Sequence, residues 1–212
     1  MKNRTKNIIS TAAFILFVLL LLPSQLFSQK QQIGLNLGSG KNNINTEQRG
    51  LINAFDNELS DYYLIGVKYY YTYINSYFRI SSGLNYEHRD HKLYNLDYLK
   101  VPFGVDAITN GKVQFIAGAG LYLGYLISYE DFSEPDLAKE LNPWNAGVNA
   151  NVGIGYQLST QLNFTLEYQQ NYDLTHLFSN EFTSNTGKTI KEDFYGFDGY
   201  LKFGILFTLK TK

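Results

Sequence analysis

Polar and apolar residues alternate along most of this chain. In FRISSGLNYEHR (Phe78–Arg89) every second residue is Phe78, Ile80, Ser82, Leu84, Tyr86 and His88. The positions between them hold Arg79, Ser81, Gly83, Asn85, Glu87 and Arg89. A period of two marks a β-strand with two unlike faces. Eight such segments are legible: QIGLNLG from Gln32, YYLIGVKYYYTY from Tyr62, the Phe78 stretch, YLKVPFGVDA from Tyr98, VQFIAGAGLYLGYLIS from Val113, NAGVNANVGIGYQL from Asn145, LNFTLEYQQNYD from Leu162 and GFDGYLKFGILFTL from Gly196.

The two faces differ in kind. One carries Lys68, Arg79, Glu87, Arg89, Lys100, Asp106, Glu167, Asp198 and Lys202 together with most of the strand glycines; the centres of the other carry no charge. A soluble ligand-binding barrel turns its apolar face inward and has no reason to put glycines beside its charges. A narrow membrane barrel needs both on the lumen side, because ionised groups cannot face hydrocarbon and little room exists inside. The charged face is therefore expected to be the interior, with Phe78, Ile80, Leu84 and Tyr86 meeting lipid.

The connections agree. INSY, ITNGK and STQ are tight-turn lengths, and Asn110-Gly111 is a strong hairpin signal. The others span roughly Ser39–Asp61, Asp90–Asn95, Tyr129–Trp144 and Leu174–Phe194. Short and long alternate strictly, which is the asymmetry of a barrel with short periplasmic turns and long outer loops. Aromatics collect toward both ends: Tyr69, Tyr71, Tyr73, Tyr156, Phe164 and Phe207 near the turns; Tyr63, Tyr86, Tyr125, Trp144 and Tyr168 near the loops. The fold expected is all-β: an eight-stranded antiparallel up-and-down transmembrane β-barrel occupying 29–212.

The first 28 residues read as a leader. Lys2, Arg4 and Lys6 precede the apolar run Ile8–Leu22, Pro23 ends it, and Ser28 offers a small residue for cleavage. An uncleaved anchor is the alternative, since the run approaches spanning length. Removing the leader takes three of 18 basic residues, leaving 15 against 19 acidic ones, a formal charge of −4. That is no footprint for nucleic acid. The chain has no cysteine, which excludes disulfides, thiolate metal sites and Cys catalysis.

YLKVPFGV (Tyr98–Val105) resembles the YLxIP strand of the PorT-like outer-membrane β-barrel family of Bacteroidota. GAGLYLGYLIS (Gly118–Ser128) is similar to that family's glycine-rich fifth strand, and LNYEHR to its third. The resemblance implies a barrel and, by way of PorT itself, a part in secretion across the outer membrane. Lys100 departs from the acidic residue expected there. Pro102 fits the pattern but removes a ladder hydrogen bond, so a local bulge is expected.

For chemistry, the five basic and four acidic lumen residues predict a hydrogen-bonded structural plug; an ion path is the functional alternative. If Asp90–Asn95 closes its hairpin symmetrically, Arg79 faces Asp106 across the strands. An enzyme at the barrel mouth would draw on His91 and His176, with Asp90, Asp173 and Ser179 nearby, whereas His88 has lipid-facing parity. YEDFSEPDLAKELNPW holds Glu130, Asp131, Glu134, Asp136 and Glu140 against Lys139 but lacks the spacing of an EF-hand. It reads as a solvated acidic loop with a helical turn at DLAKEL. The expectation is a non-catalytic outer-membrane protein without cofactor or metal. Its partners are membrane lipid and other envelope or secretion proteins.

Overall fold

A computed structural model describes residues 29–47, 60–73, 77–90, 94–131, 140–183 and 189–209. The leader and its cleavage site, His91 and the acidic residues Glu134 and Asp136 lie outside these. The elements are β1 (Gln29–Glu47), β2 (Ser60–Tyr73), β3 (Phe78–Asp90), β4 (Tyr94–Ile108), β5 (Val113–Asp131), β6 (Glu140–Leu141), β7 (Trp144–Gln157), β8 (Leu162–Asp173), β9 (Phe178–Thr183) and β10 (Thr189–Thr208). Eight long strands pair antiparallel in the order β1-β2-β3-β4-β5-β7-β8-β10, and β10 returns to β1, which closes the barrel. β6 and β9 form a short flap beside the outer end of β10.

Register fixes the shape. A line of paired residues runs from Gln32 through Tyr70, Ser81, Gly104, Gly120, Asn149, Asn171 and Asp198, and meets β1 again at Asn42, a stagger of ten residues. Ten residues over eight strands imply a tilt of about 41°. All nine of these residues share the inward parity. A barrel this narrow is filled by side chains.

Alternation in burial follows the sequence pattern. On β3 Arg79 is 2 % exposed and Ile80 57 %. Leu35, Ile65, Val67, Leu121, Val152, Ile154, Leu166 and Phe203 all stand on the outer wall. Glycines explain how large polar groups fit inside: each tends to face one across the ladder. Lys68 pairs with Gly83, Asn85 with Gly66, Lys100 with Gly124, Asp106 with Gly118 and Glu167 with Gly153. A Cβ on Gly118 would lie 2.1 Å from the Asp106 carboxylate.

The short connections carry the expected chemistry. Gly111 has φ +130°, a conformation strained for any residue with a Cβ. Ser159 Oγ accepts from the amides of Gln161 and Leu162, at 3.2 and 3.1 Å, closing the β7–β8 turn.

The structure corrects three expectations. β3 and β4 keep one register past Pro102: pairing lapses between Ser82–Phe103 and Asn85–Lys100 without a shift, so the missing donor produces no bulge there. The bulge falls higher, between Asp97 and Tyr98 against β5, where Ile127 is the extra residue. The outer loops hold more strand than expected, because β1 runs to Glu47, β10 starts at Thr189, and β9 lies within the expected fourth loop. Glu140 and Leu141, placed by sequence in a helical turn, form a strand against β9.

Val67 stands on the outer wall four residues from Tyr71 below and four from Tyr63 above, near the middle of the apolar belt. Val67→Arg should lower unfolding free energy in lipid vesicles by about 2–4 kcal/mol, and Val67→Leu should be nearly neutral. Urea titration monitored by tryptophan fluorescence measures both.

Candidate functional site in the barrel lumen

The nine sequence-predicted lumen residues all point inward and all are buried. The structure sorts them into two tiers. The lower tier, toward the short turns, holds Lys68, Arg79, Asp106, Glu167 and Lys202. Arg79 donates from Nε and Nη2 to Asp106 Oδ2, at 3.0 and 2.7 Å, across the register foreseen for this pair. Lys202 Nζ lies 2.9 Å from Glu167 Oε2 and donates to Gln169 Oε1 at 3.0 Å. Asn151 Nδ2 joins the two pairs, donating to Glu167 at 2.9 Å and to Asp106 at 3.3 Å. Tyr70 lies under the Arg79 guanidinium, 4.3 Å from its ring centre. Lys68 has no ion pair among the described residues and sits beside these groups.

The upper tier holds Glu87, Arg89, Lys100, Asp198 and one residue the sequence reading left beside a loop, Asp173. Arg89 donates to both oxygens of Asp173, at 2.8 and 3.2 Å, and to Asp198 Oδ2 at 2.6 Å. Asp173 also accepts from the Tyr122 hydroxyl and, at 3.1 Å, from the Gly196 amide. Lys100 Nζ contacts Glu87 Oε2 at 2.6 Å, an ion contact whose angles fall outside hydrogen-bonding geometry, and lies 4.4 Å from the centre of the Tyr122 ring. Arg89, Asp173 and Asp198 are wholly shielded from solvent.

Asp173 was legible in principle. It continues the inward parity of Asn163, Thr165, Glu167, Gln169 and Asn171 on β8. Its inclusion makes five acidic groups against five basic ones. Three cations and two anions form the lower tier; two cations and three anions form the upper. Balanced, hydrogen-bonded groups are what burial of charge requires.

Both ends of the lumen are filled. Above the upper tier Leu96, Tyr98, Leu177, Phe178 and Phe194 form an apolar cap, with Leu126, Tyr129 and Leu141 packed on it. Phe178 and Phe194 stack with centroids 4.4 Å apart. Toward the turns Tyr70, Ile116 and Leu206 are buried beside the lower tier. A groove of about 490 Å³ lies on the outer wall instead, among Leu35, Leu37, Ile65, Leu84 and Phe203.

The candidate catalytic residues do not assemble among the described residues. Asp173 is committed to Arg89, and Ser179 Oγ donates to Asp193 at 2.6 Å. The backbone carbonyl of His176 accepts from Asn142 Nδ2 at 3.0 Å. The one close His–carboxylate pair among the described residues faces outward near the outer rim. His88 Nδ1 is 2.6 Å from Asp97 Oδ1, with the Tyr63 ring parallel to the imidazole.

The closed eight-stranded fold is one found among solved outer-membrane proteins. Neisserial surface protein A (NspA) superposes with a TM-score of 0.52 at 12% identity, covering 84% of this chain and 97% of that one. The N-terminal barrel domain of Pseudomonas aeruginosa OprF gives 0.46 at 11% identity over 86% and 98%. The Yersinia pestis attachment invasion locus protein Ail gives 0.44 at 12% identity over 85% and 100%. These likenesses concern the fold. No family model matches the chain, and no curated protein sequence matches it.

Arg89→Leu should cost about 3–5 kcal/mol in vesicle unfolding assays, because it strands two buried carboxylates. Adding Asp173→Asn and Asp198→Asn should recover most of that loss. An unfolding midpoint unmoved by Arg89→Leu would show that the upper tier does not hold the barrel together.

Proposed function

We propose that the chain is an integral protein of the bacterial outer membrane, a plugged barrel without catalytic role. On this reading it acts through its outer end or as a subunit of an envelope or secretion assembly. One observation carries the reading: an apolar wall surrounds a lumen filled by paired charges and capped by packed aromatic and aliphatic side chains. Such an interior leaves a solute no aqueous route, and such an exterior demands hydrocarbon. A soluble periplasmic barrel would expose this belt of Leu, Ile, Val and Phe to water. The PorT-like affiliation, with its implied part in secretion, rests on the YLKVPFGV and GAGLYLGYLIS motifs.

A second reading has its own observation. His88 held by Asp97 near the rim is a carboxylate-oriented imidazole, the arrangement of a general base. It favours chemistry on membrane lipid over chemistry in the lumen. The plug reading is the stronger, because among the described residues no hydroxyl is hydrogen-bonded to this imidazole.

Two measurements separate the readings. Purified protein in planar bilayers should give no steady channel; sustained large conductance would refute the plug. Envelope lipids from cells carrying His88→Ala should match those of wild type. Loss of a lipid modification in that variant would establish the enzyme reading.

A further inference from the structure

Gln170 stands on the wrong face. β8 turns Phe164, Leu166, Tyr168 and Tyr172 outward, and Gln170, on the same parity, is exposed between them. It lies within the apolar belt rather than at its edge. Its register partner on β7, Ala150, is six residues from Tyr156 at the turn end and six from Trp144 at the outer end. Among the described residues its side chain makes one hydrogen bond, from Nε2 to the Tyr168 hydroxyl at 3.2 Å. The carbonyl oxygen and the second N–H of the amide remain unused. A polar group left unpaired in hydrocarbon is costly, and lipid tails offer neither donor nor acceptor.

The wall beside Gln170 is low on one flank. Its β7 partner is Ala150, and Ala119 follows beyond it; on the other flank the Tyr168 ring lies over the partner Gly199. Small residues let two backbones approach closely within a membrane, and amide side chains hydrogen-bond across such contacts.

We propose that this wall is the contact between two copies of the chain, with the Gln170 amides bonded reciprocally across a two-fold axis. The amide chemistry selects the occupant. A primary amide carries both a donor and an acceptor, so it is its own complement. An axis along the membrane normal brings each residue near it opposite its own copy at the same depth. A second copy therefore supplies the missing partner where it is needed. The proposal goes beyond the plugged-barrel reading and rests on its membrane embedding.

The chain has no cysteine, so Asn110→Cys in the exposed β4–β5 turn gives a single site for donor and acceptor dyes. Energy transfer is then followed as protein is diluted into liposomes. Wild-type protein should associate reversibly. Gln170→Leu should require about tenfold more protein per lipid for half association, and Gln170→Asn should retain most of it. Ala150→Trp, which fills the low wall, should abolish association. Ile80→Trp, on the far wall, should not. All these changes face lipid, and retained heat-modifiable migration on gels checks that each variant folds. Transfer at the random-collision level for wild-type protein would overturn the proposal. So would equal association of wild type and Gln170→Leu, or sensitivity to Ile80→Trp matching that to Ala150→Trp. Failure of folded protein to enter liposomes would overturn this proposal and the membrane reading together.

Discussion

The pairing of β1 with β10 is the constraint from which the rest follows. Inside a bilayer every backbone amide and carbonyl must find a partner within the protein, and a sheet achieves this only by having no edge. β1 therefore bonds β2 on one side and β10 on the other. Closure with a ten-residue stagger sets the tilt and the radius. The radius sets the room inside, and the room inside sets what each inward residue can be. Where Lys68, Lys100, Asp106 or Glu167 projects, the neighbouring strand supplies a glycine. The glycines and the charges share a face because one makes space for the other.

The same limit on space turns ten ionised groups into a packing material. An Arg79 clamped on Asp106, or an Arg89 held by two carboxylates, fills volume and meets counter-charges at once. Aromatic rings complete the filling, with Tyr62 stacked on Tyr200 at 4.7 Å between β2 and β10. The apolar cap of Leu96, Leu177, Phe178 and Phe194 then shuts the outer end with side chains from β4, β9, β10 and the β8–β9 connection. In the plugged barrel proposed above, function falls to the outer end and the wall itself.

Most of this architecture was legible because strand parity is a hard rule in a closed sheet. A residue one position along faces the other solvent. That rule placed all nine predicted charges inside and set Arg79 opposite Asp106. It did not yield Asp173 because that residue, the last of its predicted strand, was grouped with the mouth residues around His176 rather than with the lumen charges. The outer extensions were less legible for a physical reason. Above the membrane neither face must be apolar, so Asn43 to Glu47 on β1 pair with β10, and Thr189 to Asp193 on β10 pair with β9, without a clear alternation to betray them. Pro102 misled in the other direction. A missing donor costs one ladder bond, and the flanking pairs hold the register without a bulge. The division of the charges into two tiers depends on tilt and stagger, which no single strand reveals.

The filled lumen also governs how the molecule can be made. A sheet still open at the β1–β10 seam would turn Arg79, Glu167, Lys202 and Asp198 toward acyl chains, since no opposite wall would yet enclose them. Partly assembled strands therefore have no stable place in the bilayer core. Insertion and seam formation must advance together, with the ionised groups meeting their counter-ions as the wall comes round. The arrangement that plugs the finished barrel thus makes its biogenesis cooperative, and it leaves little lifetime for an intermediate that a neighbouring chain's strand could invade.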